Sequence, residues 1–176
     1  MRLFQSLAVA TLLLTPAVVA AQGDPVADAA RMNATDLAKN LIAAAQLMPA
    51  EKYGFKPTPA EMSFGQLIAH IAGDNHITCS AIVGQTPAPR VKVTAAAGKD
   101  KLIAALQASM DECDAALKGL KDAGMGDTVP YYGQKYPRAL AAFGLLIDWS
   151  DHYAQQAIYL RLNGILPPTA RKGSGM

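Results

Sequence analysis

The sequence predicts an all-α protein, a four-helix bundle behind an N-terminal signal peptide. Alanine and leucine are abundant, and β-branched residues rarely alternate with polar ones, so no strand pattern emerges. Apolar side chains recur three and four residues apart along four stretches, as one buried face of a helix requires. Each stretch closes at a proline or a glycine.

The first 21 residues stand apart from that bundle. Arg2 supplies a short basic start, residues 7–14 are apolar apart from Thr11, and Pro16 breaks the run. Val18-Val19-Ala20-Ala21 then offers small residues for cleavage, completing the layout of a secretory signal peptide. A competing reading keeps the segment as an uncleaved anchor, although it is short for a membrane span. Cleavage after Ala20 or Ala21 removes Arg2, lowers the net charge from +2 to +1 and leaves about 155 residues, enough to bury a substantial core. The mature chain is expected in the periplasm or outside the cell, with no stable membrane span. It reads as one domain over residues 22–168, with "TARKGSGM" (169–176) as a flexible polar tail. So small a charge, with no dense basic run, argues against a nucleic-acid surface.

The first helix spans about residues 25–48, its face marked by Ala34, Leu37, Leu41, Ala44 and Met48, and Pro49 closes it. The second has two candidate starts. Thr58-Pro59-Ala60-Glu61 offers a cap, a proline at the first helical position and a carboxylate at the third, and Ser63-Phe64-Gly65-Gln66 repeats the capping-box logic. Phe64, Leu67, Ile68, Ile71 and Ile82 form its apolar stripe, Gly84 ends it, and "QTPAPR" is an irregular connection. The third helix starts near Lys99, carries Leu102, Leu106, Met110, Cys113, Leu117 and Leu120, and stops at Gly124 and Gly126. "GDTVPYYGQKYP" reads as a loop with a short extended piece at Tyr131-Tyr132. Its tyrosines Tyr131, Tyr132 and Tyr136 serve either as loop packing or as a lid or contact surface. Pro137 opens the fourth helix, and Asn163-Gly164 with Pro167-Pro168 ends it. Cys79 and Cys113 fall on the second and third helices; an exported pair of this kind can form a bridge or stay as two small buried hydrophobes.

The three histidines carry what chemistry the chain offers. Residues four apart on a helix lie one above the other. Asp148, His152, Gln155 and Tyr159 therefore share a face of the fourth helix. His70 and Asp74 share one on the second, with Gln66 a turn earlier. If these helices are neighbours, His70, Asp148 and His152 converge. Two imidazoles and a carboxylate, with coordination positions left open, suit Zn, Fe, Ni or Mn. The bland alternative is an Asp–His pair that only steadies its helix. His76, beside Asn75 near the wet end of its helix, is expected in solvent. Asp74 or Tyr153 is placed to move protons, Tyr153 equally to pack, and Gln155 to orient a ligand or substrate. No Ser-His-Asp arrangement, phosphate-cradling glycine loop or zinc-ribbon cysteine set is present.

"SFGQLIAHIAGDNHITCSAIVGQ" and "DHYAQQAIYLRLNGILPP" together resemble two motifs of the DinB-like family. The first matches a serine-capped second-helix start that leads to a histidine. The second matches a last-helix histidine pattern running into "YLR-x-x-G-x-x-PP". The resemblance implies an up-down-down-up bundle in which three histidines hold a divalent metal. It also implies, for some relatives, thiol-dependent transfer with low-molecular-weight thiols, or hydrolysis. Carried over by position, two ligands fall on His70 and His152. The third falls on Asp148, where the family pattern has histidine, a departure that either hardens the metal preference or marks loss of the site. The resemblance therefore implies a metal-dependent exported enzyme taking a small-molecule or thiol ligand. The alternative is a non-catalytic binding bundle that has lost the metal. A homodimer is compatible with both.

Overall fold

The computed structural model describes residues 23–171, so the signal-peptide assignment and residues 172–176 lie outside the described residues. Four helices dominate: α1 (Pro25–Leu47), α2 (Phe64–Ile82), α3 (Lys99–Lys118) and α4 (Arg138–Leu162). A two-stranded antiparallel hairpin, β1 (Thr128–Tyr131) and β2 (Gln134–Pro137), precedes α4.

Local chemistry sets the helix ends. Of the two candidate starts for α2, Ser63 is the one used. Its hydroxyl accepts from Gln66 N at 3.2 Å, and Gln66 Oε1 accepts from Ser63 N at 2.7 Å, a complete capping box. The α1 start has no cap of its own. Asp122, nearly a hundred residues away, accepts from Val26 N and Ala27 N, while Asp24 accepts from Asp122 N in return. α3 stops earlier than the apolar period suggests: the chain turns at Gly119, and Asp122–Gly124 forms a separate 3-10 turn. The period continues to Leu120 because that side chain, though past the helix, is still buried.

Contacts fix the helix directions. Asn75 meets Ser109, and Cys79 is disulfide-bonded to Cys113 with Cα atoms 5.1 Å apart, so α2 and α3 run parallel. Arg31 reaches the carbonyl of Leu117 while Lys99 reaches that of Met48, so α1 and α3 are antiparallel. Trp149 meets Asn75 while His152 meets His70, so α2 and α4 are antiparallel. The order is up-down-down-up. The parallel α2–α3 pair requires the crossover of residues 83–98 to run back along the bundle. Arg90 pins it to the Ala72 carbonyl and to Glu112.

The core is built on Trp149, Phe64, Leu41, Leu67, Ile68, Ile71 and Leu145, with buried alanines on α1 letting its neighbours come close. One polar chain crosses it. The Trp149 indole donates to Asn75 Oδ1 at 2.6 Å, and Asn75 Nδ2 donates to Ser109 Oγ at 2.9 Å. Among the described residues, no helix is long and apolar enough to cross a membrane.

Two departures from the sequence reading concern loops. The loop before α4 is a full hairpin whose two-residue turn, Tyr132 (φ +46°) and Gly133 (φ +75°), is left-handed at both positions. The chain after Pro168 is no free tail at its start: Pro168–Ala170 forms a 3-10 turn, and Thr169 bonds to the Tyr153 hydroxyl.

Candidate functional site

Along α2, His70, Asp74 and Thr78 stack at four-residue intervals; along α4, Gly144, Asp148 and His152 do the same. The helices are antiparallel, so the two columns meet in layers. His70 and His152 face each other edge to face, ring centres 5.0 Å apart. At the other end, the Tyr131 hydroxyl lies 3.4 Å from Thr78 Oγ1 and 3.3 Å from where a Cβ on Gly144 would sit. Glycine at 144 thus makes room for that phenol. Asp74 and Asp148 occupy the layer between.

Each imidazole leans on the carboxylate of its own helix: His70 Nε2 is 3.4 Å from Asp74 Oδ2, and His152 Nε2 is 3.2 Å from Asp148 Oδ1. The His152 contact is close but out of line for a hydrogen bond, which leaves a buried Nε2 without a hydrogen-bond partner. The other ring nitrogen is better served. Gln155 Nε2 donates to Asp151 at 2.8 Å, which turns Gln155 Oε1 toward His152 Nδ1 at 3.3 Å. That oxygen favours the proton on Nδ1, so in the neutral ring Nε2 carries the lone pair and faces Asp148. Burial pushes the His152 pKa down, but the Asp148 carboxylate outweighs it, and the net shift is upward. The pocket therefore favours a positive charge at Nε2, whether a proton or a cation.

The donor set fits a divalent first-row ion in its chemistry. With metal–nitrogen bonds of about 2.1 Å, two imidazoles on one tetrahedral ion have ring centres roughly 5 Å apart, close to the separation seen between His70 and His152. Yet among the described residues, no three His, Cys, Asp or Glu side chains are disposed as they stand to hold an ion. The donors are paired off along their own helices, and Asp148 and His70, both more than a third exposed, are the ones that must swing to share a ligand.

The other candidates divide. Asp74 and Gln155 are part of the cluster. Tyr153 is not: one residue on from His152 around the helix, its hydroxyl is committed to Thr169 at 2.8 Å. His76 is not in solvent. The crossover covers it, with Nδ1 2.7 Å from Glu112 Oε1 and Nε2 2.8 Å from the Ala88 carbonyl. Tyr132 was foreseen only as part of a tyrosine surface. Its ring stacks on Tyr131 at 4.6 Å, and its phenol is pushed up to about 12, mainly by burial and then by Asp74, with Tyr131 and Asp148 adding to it. The phenol therefore stays a neutral O–H donor. Gln156, one turn beyond His152, is fully buried with neither amide atom hydrogen-bonded. Its spacing from His152 is visible in the sequence, but its isolation is not.

Comparison with known proteins fits this architecture. The family model described as the DinB superfamily matches residues 28–156. A DinB-like protein from Bacillus cereus has a TM-score of 0.67 at 14% identity, over 80% of this chain and 95% of its own. One from Bacillus subtilis gives 0.66 at 17%, over 82% and 99%. A mutant of mycothiol-dependent maleylpyruvate isomerase gives 0.59 at 15%, over 73% of this chain and 59% of its own. At such identities these neighbours show the fold alone. No curated protein gives a significant match.

Proposed function

This chain belongs to the DinB superfamily, and we propose that its His70, Asp148 and His152 bind a divalent metal that serves a thiol-dependent transfer or a hydrolysis. The observation that carries this reading is the buried His152 Nε2, without a hydrogen bond, directed at Asp148 and beside the His70 ring. A cation between these groups would satisfy the nitrogen and neutralise the carboxylate together.

When bound, such an ion supplies Lewis acidity and makes a nearby thiol or water easier to deprotonate. The chain's own residues do the rest. Gln155 holds the His152 ring in the tautomer that presents Nε2. Asp74 steadies His70 and is placed to take a proton from a reacting group. Tyr131, seated on Thr78 and Gly144, caps the aspartate layer with a phenol. Carboxylate in place of imidazole at Asp148 shifts the preference toward harder ions such as Mn or Fe.

A thiol co-substrate is supported by the fold shared with the mycothiol-dependent isomerase. Export to the periplasm or beyond is supported by the apolar leader sequence, and the Cys79–Cys113 bridge suits an oxidising compartment. A second reading, a binding bundle without the metal, draws on the absence of three ready-disposed ligands among the described residues. Elemental analysis of protein purified from its export compartment without chelator separates the two. Stoichiometric metal supports the first reading; none, with none taken up on titration, supports the second.

A further inference from the structure

Between α1 and α3 a slot of about 170 Å³ runs in toward the indole of Trp149 on α4. It exists because α1 is short of side chain there. Ala34, Thr35 and Ala38 line one wall, Met110 and Leu117 the other, and a leucine at 38 would fill much of the space. Packed interiors normally close such gaps, since an unfilled one forfeits contacts around its lining. The floor makes no polar demand. The indole N–H is spent on Asn75 Oδ1 at 2.6 Å, and the rest of Trp149 is hydrocarbon. An apolar cavity of about 150 Å³ is enough for one benzene ring.

The mouth is charged, and its charges are unequally committed. Arg31 is held by Asp28 and by the carbonyls of Leu117 and Leu120. Asp114 is bridged to Lys118 at 2.6 Å. Asp111 accepts from the neutral Gln107 amide at 2.9 Å and has no cation partner among the described residues. An anion entering the slot therefore meets an arginine that is already engaged. A cation meets a carboxylate without a counter-charge.

We propose that this slot binds a small amphipathic amine, its ring against Trp149 and its ammonium at Asp111. An aromatic body suits the indole floor, and a single positive charge suits the rim. None of the His/Asp cluster lines the slot, so the site stands whether or not that cluster holds a metal.

Trp149 is the only tryptophan in the chain, so its emission reports on the floor of the slot directly. The test is a fluorescence titration of the purified protein with benzylamine, in chelator so that the amine has no metal to ligate. A saturable change with Kd of about 1 mM or tighter is expected for so few atoms. Neutral benzyl alcohol should bind about three- to fivefold more weakly, and Asp111→Asn should weaken benzylamine to the same degree, as for a half-solvated ion pair. Ala38→Leu should remove the saturable change by filling the slot. Asp148→Asn, in the other cluster, should leave it intact. Asp111 is exposed, so its variant tests the proposal even where Ala38→Leu folds poorly. No saturation by about 10 mM, or equal affinity in wild type, Asp111→Asn and Ala38→Leu, overturns the proposal. Loss of binding in Asp148→Asn alone overturns it too, by placing the amine at the His/Asp cluster.

Discussion

His70 and His152 meet edge to face with ring centres 5.0 Å apart, although 82 positions separate them along the chain. Each is paired with an aspartate one turn away on its own helix, and antiparallel packing brings the two imidazoles into one layer. The result is a cluster of two histidines and two aspartates, with the Tyr131 hydroxyl against Thr78 one turn beyond Asp74.

The upward shift of His152 sets a pH dependence for the metal-free protein. A histidine whose folded pKa is raised stabilises the fold below its unfolded value of about 6.5, and that contribution is lost as pH rises through the folded value. Urea midpoints with chelator across about pH 5–8 should therefore carry a term that falls with pH. Asp148→Asn should flatten that term. The metal-loaded protein should show the opposite trend, because protons compete with the ion for the imidazoles. A term that rises with pH in the chelated protein, unchanged by Asp148→Asn, contradicts this account.

Asn75→Ala should destabilise the bundle by about 3 kcal/mol, since it strips the Trp149 indole of its acceptor and removes the Asn75 donor to Ser109, whose hydroxyl keeps only its bond to the Leu106 carbonyl. Denaturant unfolding measures it. A loss below about 1 kcal/mol would mean that the core relaxes around both groups.

Reducing the Cys79–Cys113 bridge opens a loop spanning a sequence separation of 34 residues. On the chain-entropy model the loss is about 3–4 kcal/mol. The expected outcome is a lower urea midpoint in reductant. Two free thiols in the unfolded, non-reduced protein would show that the bridge is not formed in solution.

Alanine at position 144 has a helix propensity about 1 kcal/mol better than glycine. Its Cβ, however, would meet the Tyr131 hydroxyl at 3.3 Å. Gly144→Ala should therefore gain less stability in the wild type than in a Tyr131→Phe background. A double-mutant cycle reads the coupling directly. Strict additivity would mean the phenol moves aside freely.

Much of the fold was legible because periodicity and capping are local. The Ser63–Gln66 box and the apolar stripes place the helices within a turn, and four-residue spacing already stacked Asp148 on His152. What was not legible depended on contacts between distant segments. His76 looked solvated because its cover, Ala88 and Glu112, comes from the crossover and α3. Tyr153 looked available because its partner Thr169 lies in a stretch with no packing signal of its own. The hairpin was missed because Tyr-Gly is a poor version of the Asn-Gly turn signal. The sequence showed the donors; only the packing shows that they are paired off rather than gathered on one point.

The central claim is that Asp148 joins His70 and His152 as a ligand. Calorimetric titration of chelator-washed wild type, Asp148→Ala and Asp148→His with Zn, Ni and Mn tests it most directly. The account predicts that Asp148→Ala weakens binding of each ion by about tenfold or more, and that Asp148→His raises affinity for Zn and Ni over Mn. Equal affinities across the three proteins, or no binding to any of them, would contradict it.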